Sequence, residues 1–168
     1  ALAGALPSRG VRLGDRVLIH LDNSPEFMLS WFACAQLGAV AVSTNTRSVA
    51  RDMIYFAQHA EVVAAITSPK FAQLVYDSAP NLTFLAVTST DAGDPAEQTV
   101  EVAHIPFEDL LAEHHECPAR PVDPAANLGI QFTSGTTSRP KAVLWTHANA
   151  IWGGQVNARV PPVPWMPL

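Results

Sequence analysis

The sequence predicts an α/β protein in layers: a mainly parallel sheet flanked by helices, with a hairpin-like loop at its edge. Three observations predict it. Short apolar runs alternate with helix-patterned stretches between residues 16 and 114, the order that produces parallel strands joined by helical crossovers. Two helix-like stretches open on serine followed by proline, Ser24-Pro25 and Ser68-Pro69, which is cap-then-first-turn chemistry. Finally, a strand-like run at 128–132 is answered by a returning run at 142–145.

Taken in order, residues 16–21 (Arg-Val-Leu-Ile-His-Leu) make a first strand. Ser24 and Pro25 then start a helix that carries Phe27, Leu29, Trp31, Phe32 and Leu37 and stops at Gly38. A second strand at 39–44 leads through Asn45-Thr46-Arg47 to Ser48, read as the cap of a helix bearing Met53, Ile54 and Phe56. The run 62–67 is a third strand, and Ser68-Pro69 starts a helix with Phe71, Leu74 and Val75. Residues 82–87 are a further strand, 88–98 a polar surface loop, 100–105 another strand and 107–114 another helix. The stretch 116–126 holds three prolines and no apolar period, so it reads as a stiff connector. After the paired runs 128–132 and 142–145, Thr146 or His147 starts a last helix, weakened by Gly153-Gly154. There is no internal repeat.

Composition bounds the function. The 168 residues are 48% hydrophobic and 15% charged with a formal net charge of −5, the profile of one soluble globular domain and not of a disordered tail. No apolar run is long enough to suggest a membrane span, and no secretory leader is visible, so a cytoplasmic location is expected. Ten Lys and Arg against fifteen Asp and Glu argue against a broad nucleic-acid surface. Cys34 and Cys117 form neither a disulfide framework nor a zinc set. The chain opens on Ala1 and closes on the proline-rich 159–168; both ends read as cuts, with 1–158 as part of a larger domain and 159–168 as an irregular tail.

The chemistry concentrates in Thr133-Ser-Gly-Thr-Thr-Ser-Arg-Pro-Lys141. Hydroxyls, backbone N–H groups, a glycine and a lysine in one loop suit phosphate oxygens. Gly135 allows close approach, Ser134, Thr136 and Thr137 offer donors, Pro140 stiffens the chain and Lys141 supplies a point charge. From composition alone a polar turn is the simpler reading. The Walker pattern does not fit, because Pro140 replaces its second glycine, Ala142 replaces its magnesium hydroxyl, and the following residues are strand-like instead of helical.

The same residues, followed by Thr146-His147 and Asn149, closely resemble the phosphate loop of the adenylate-forming superfamily, in its acyl-CoA synthetase (acid-CoA ligase) branch. Gly14-Asp15-Arg16-Val17, Asn23-Ser24-Pro25-Glu26-Phe27, Leu37-Gly38-Ala39-Val40 and Asn45-Thr46-Arg47 resemble that branch in order and spacing, so the resemblance spans about residues 10–158. It implies the large N-terminal domain of an AMP-forming ligase. In such an enzyme a carboxylate attacks the α-phosphate of ATP, and coenzyme A then takes the acyl group from the adenylate. By position, Thr133, Ser134, Gly135, Thr136 and Thr137 would cradle the β- and γ-phosphates, and Lys141, the one catalytic assignment, would neutralise the leaving pyrophosphate. Magnesium would share the charge through ligands outside this sequence. The substrate class implied is a fatty or carnitine-like acid.

The family usually has glycine where Ser138 and Ala142 stand, so the loop here is stiffer. Its later motifs, an aromatic-Gly-x-Thr-Glu and a Thr-Gly-Asp, are absent from these 168 residues. The chain is therefore expected not to complete the reaction alone, while Ser138 and Ala142 leave open whether the isolated chain binds ATP, the partner the resemblance implies together with a small carboxylic acid; the competing reading is a non-catalytic nucleotide- or protein-binding module. Helix faces that would meet a second sheet are expected to be exposed and to favour association between copies. Of the six histidines, only His147 has an open choice between a functional and a helix-start role, while His114-His115 reads as an exposed helix end. Phe27, Trp31 and Phe32 read as core, and Glu108 and Asp109 as solvated charge.

Overall fold

The computed structural model describes residues 1–119, 123–133 and 139–159. Its elements are α1 (Leu2–Ser8), β1 (Arg16–His20), α2 (Pro25–Leu37), β2 (Val40–Ser43), α3 (Ala50–His59), β3 (Val62–Thr67), α4 (Ala72–Ser78) and β4 (Phe84–Val87). They continue with β5 (Thr90–Asp91), β6 (Asp94–Pro95), β7 (Ile105–Pro106), α5 (Phe107–Ala112), β8 (Asn127–Thr133), β9 (Lys141–Thr146) and α6 (His147–Arg159). One sheet has the order β7-β4-β3-β1-β2-β8-β9, and every neighbouring pair is parallel except β8 and β9. The layered, mainly parallel α/β fold with a hairpin at its edge is therefore what the chain adopts.

Alternation along the strands divides the core in two. Val17, Ile19, Ala41, Ala64 and Ile66 share one cluster with residues of α1, α2 and α5. Leu18, Val42, Ala65 and Leu85 share the other with Met53, Phe56 and Val75 of α3 and α4. Both faces of the central strands are thus covered, which is why they read as near-continuous apolar runs. Each fully buried Leu or Ile contributes roughly 1.5–3 kcal/mol, several times any helix-propensity difference along these segments.

The start and stop of α2 follow from local chemistry. Ser24 is extended and its Oγ accepts from the Phe27 N–H at 3.3 Å, Pro25 fills the first turn, and Gly38 closes the helix in the left-handed conformation at φ 81°. α3 begins differently from the Ser48 reading. Asn45 Oδ1 accepts from the Arg47 N–H at 2.9 Å and the Asn45 carbonyl accepts from the Ser48 N–H. That turn delays the helix, and Val49 stands at the cap position. Ser68 likewise makes no cap bond, and Ser68-Pro69 opens a short 3-10 turn over Pro69–Phe71 that leads into α4.

Other boundaries also move. The 100–105 strand shrinks to Ile105–Pro106, which pairs with Ala86 and Val87 at the sheet edge. Within the 88–98 loop, β5 and β6 form a small antiparallel pair turned by Ala92 and Gly93, both at positive φ. α5 ends at Ala112, leaving His114 and His115 exposed beyond it. Phe27 and Trp31 pack against the core, but Phe32 is 56% exposed, as are Met28 and Leu29 to a similar degree, because α2 is apolar on more sides than it buries. Val143, Leu144, Trp145, Ile151 and Trp152 of β9 and α6 are exposed as well.

Helix α1 has no counterpart among the sequence expectations. It buries Leu2, Ala3, Gly4, Ala5 and Leu6 against α2 and α5 despite Pro7 in its last turn. Its Gly4 lies so close to the chain at His115 that an added Cβ would stand 2.0 Å from the His115 carbonyl oxygen. The Arg9–Glu113 ion pair fastens the same contact. The proline-rich segment is thus held to the body of the domain at its near end. At its far end, the carbonyls of Pro124 and Ala126 accept from the Ala148 and His147 N–H groups.

Candidate functional site

β8 ends and β9 begins at the carboxyl ends of the parallel strands, the side on which an open α/β sheet takes its ligand. β8 runs parallel to β2, with Ala41, Val42 and Ser43 opposite Gly129, Ile130 and Gln131. Gly129 permits that approach, since a Cβ there would meet the Ala41 carbonyl oxygen at 3.1 Å. β9 returns antiparallel with Phe132 opposite Ala142 and Thr133 opposite Lys141. Phe132 is pinned from below by Phe56, the two rings stacked at 4.1 Å and 25°.

Thr133 and Lys141 are therefore brought together at the mouth of the loop, and the Thr133 hydroxyl donates to the Lys141 carbonyl at 3.5 Å. Both are exposed. Ser134, Gly135, Thr136 and Thr137, assigned to phosphate binding, lie outside the described residues, as does Ser138.

Beside Thr133 opens a cleft of about 440 Å³, lined also by Asp22, Thr44, Asn45, Thr46 and Gln131. It sits over the carboxyl ends of β1, β2 and β8, the usual ligand position of an open α/β sheet. Its floor is polar and internally bonded. Asp22 accepts from Thr46 at 2.8 Å and pairs with Lys70 at 2.5 Å. Lys70, with Thr46 and despite partial burial, holds the Asp22 carboxyl below its ordinary range, and Asp22 in turn raises Lys70. Below them His20 is fully buried, with Nδ1 2.8 Å from Thr44 Oγ1 and its ring edge-on to Phe71 at 4.7 Å. Burial pushes its pKa down to about 4, opposed by the Asp22 charge, so it is neutral at pH 7.

His147, Thr146 and Asn149 form the start of α6. The Thr146 hydroxyl donates to Asn149 Oδ1 at 2.8 Å and accepts from the Asn149 N–H at 3.2 Å, while Asn149 Oδ1 also accepts from the Thr146 N–H. This reciprocal cap gives Thr146 and Asn149 a helix-starting role. Arg47 is exposed on the turn before α3. Among the described residues no group of three His, Cys, Asp or Glu is placed to hold a metal. Asp22, the cleft carboxylate, is already paired with Lys70 and Thr46, so these residues do not assemble a magnesium site.

Sequence reasoning missed His20 and Tyr55, whose ring contacts both Phe132 and Arg139. Their partners are 24 and more than 75 residues away in the chain, and no local pattern marks such pairs.

Comparison with known proteins identifies the fold and the family. The chain is 35% identical over 155 residues to the crotonobetaine/carnitine–CoA ligase of Escherichia coli, a match covering 89% of this chain and 29% of that enzyme. The fold matches an anthranilate CoA ligase solved with anthranoyl-AMP, with TM-score 0.77 and 23% identity over 92% of this chain and 29% of that one. It also matches a benzoate CoA ligase from Burkholderia xenovorans LB400, with TM-score 0.74 and 23% identity over 94% of this chain and 29% of that one. The chain thus spans under a third of the length of these relatives. The family model described as AMP-binding enzyme matches residues 1–164, so with its parallel sheet and edge hairpin the chain belongs to the AMP-binding enzyme family.

Proposed function

We propose that this chain is the polyphosphate-gripping part of an ATP-dependent, AMP-forming acid–CoA ligase. The observation that carries the reading is the β8–β9 hairpin, which sets Thr133 opposite Lys141 at the rim of the cleft. In an antiparallel pair, residues directly opposite project from the same face. The lysine and the threonine therefore lie on one side of the hairpin, away from Phe132.

In the reaction so assigned, a carboxylate oxygen attacks the α-phosphorus of ATP and the bond from that phosphorus to the bridging oxygen breaks. An acyl-adenylate forms and pyrophosphate leaves. Charge builds on the departing oxygens. The hydroxyls of Thr133, Ser134, Thr136 and Thr137, the backbone at Gly135 and the Lys141 ammonium meet that charge by positioned donors. In the second half, a coenzyme A thiolate attacks the acyl carbon and AMP leaves. Bound magnesium would spread the polyphosphate charge further.

The carnitine–CoA ligase relative supports a carnitine-like or other small carboxylic acid as the substrate. The apolar residues exposed on β9 and α6 support association between copies, which size-exclusion chromatography reads directly.

Pyrophosphate exchange into ATP with a panel of acids tests the division of labour. The chain alone is expected to bind ATP yet give no exchange. Robust exchange would overturn its dependence on further residues, and absence of ATP binding would overturn the polyphosphate role.

A further inference from the structure

Two neighbouring aromatic residues of α3 hold the two arms of the hairpin by different contacts. Phe56, buried, stacks on Phe132 of the outgoing arm at 4.1 Å. Tyr55, half-buried, touches both arms. Its ring meets Phe132 at 6.0 Å and 65°, and its hydroxyl donates to the Pro140 carbonyl of the returning arm at 3.2 Å. The Arg139 guanidinium sits 5.7 Å from the centre of the same ring, within cation–π range. His59, one turn along, stacks on Tyr55 at 5.1 Å and 23°.

We propose that Tyr55 is a positioning residue for the phosphate loop, fixing the Arg139-Pro140 arm so that Lys141 enters β9 opposite Thr133. The inference rests on reading the loop as polyphosphate-binding. The physical need is plain, because among the described residues β9 is the edge strand of the sheet and has a partner on one side only. Pro140 offers no N–H to pair with β8, so the first residues of the returning arm depend on side-chain contacts for their direction. Tyr55 supplies a hydrogen bond to the last carbonyl before Lys141 and a π-face for the charge beside it. It acts through the arm and needs no contact with the nucleotide.

Limited trypsin digestion with mass-spectrometric readout tests this. The Arg139–Pro140 bond resists trypsin because proline follows the arginine, so cleavage after Lys141 reports on the returning arm. Cleavage after Lys70, in the turn between β3 and α4 and away from the hairpin arms, reports on the rest of the domain. Tyr55→Phe keeps the ring and loses the hydrogen bond; cleavage after Lys141 is expected to rise about fivefold with cleavage after Lys70 unchanged. Tyr55→Ala is expected to raise it further, and combining it with Arg139→Gln to show non-additivity, since both remove one contact. ATP affinity is expected to fall with the same ranking of variants. A wild-type rate after Lys141 in Tyr55→Phe, or parallel rises after Lys141 and Lys70, would overturn the proposal. Failure of the wild-type chain to bind ATP would instead count against the polyphosphate reading, and the ratio of the two cleavages would still decide whether Tyr55 holds the arm.

Discussion

Thr133 and Lys141 face each other at the mouth of the β8–β9 hairpin, the threonine hydroxyl 3.5 Å from the lysine carbonyl oxygen. That distance is at the outer limit of a hydrogen bond, so the ladder itself and the aromatic contacts beneath it set the spacing. Thr133 also lines the cleft beside Gln131 and Thr44. Strand register thereby places the Thr133 hydroxyl at the edge of a polar opening, with Lys141 opposite it in the ladder.

His20 makes the stability of the domain pH-dependent on the acid side. Its folded pKa of about 4 lies below the ordinary 6.5, so between those values the unfolded chain takes up a proton that the folded chain refuses. Stability is full above pH 6.5 and falls as pH drops toward 4, by roughly 3 kcal/mol in all. Urea unfolding at a series of pH values measures the slope, and His20→Gln is expected to flatten it. A slope unchanged in the variant would assign the effect to other groups.

Gly4 is packed directly against main chain. Because an added Cβ would stand 2.0 Å from the His115 carbonyl oxygen, Gly4→Ala must push α1 away from the 113–116 segment. A loss of about 1–3 kcal/mol is expected from such overpacking, against the slight gain that alanine would give an unobstructed helix. Denaturant midpoints at constant m-value distinguish the two signs.

Ser24→Ala removes the one side-chain cap seen on α2, the acceptor for the Phe27 N–H. The expected cost is about 1 kcal/mol. Ser68→Ala serves as the control, since Ser68 makes no such bond. Thermal unfolding of the pair is expected to show a lower Tm for the first variant only.

The legible part of the fold is the part governed by local rules. β1, β2 and β3 follow from apolar runs that fill both core clusters, and α2 from its Ser24-Pro25 start and Gly38 stop. α1 was not legible because Gly4 and Pro7 oppose a helix, and only the burial of Leu2 and Leu6 against distant residues sustains it. The 100–105 stretch has strand-like composition, but just Ile105 and Pro106 reach the last strand of the sheet. Ser48 looked like a cap until the Asn45 side chain took the turn.

For the site, the chemistry of Thr133 and Lys141 was visible in the residue types themselves. Their register was not, because it is set by β2 through Gly129 and by Phe56 through Phe132. His20 read as an ordinary strand residue; its burial and its bond to Thr44 arise only when β1 and β2 lie side by side.

The proposed function places the polyphosphate of ATP on the loop bounded by Thr133 and Lys141. Isothermal titration of the wild-type chain and of Lys141→Ala with ATP tests it most directly. Saturable binding by the wild-type chain is expected, weakened about tenfold or more in the variant, as removal of a charge-assisted contact should do. Equal affinity in the two proteins, or no binding by the wild-type chain, would contradict it.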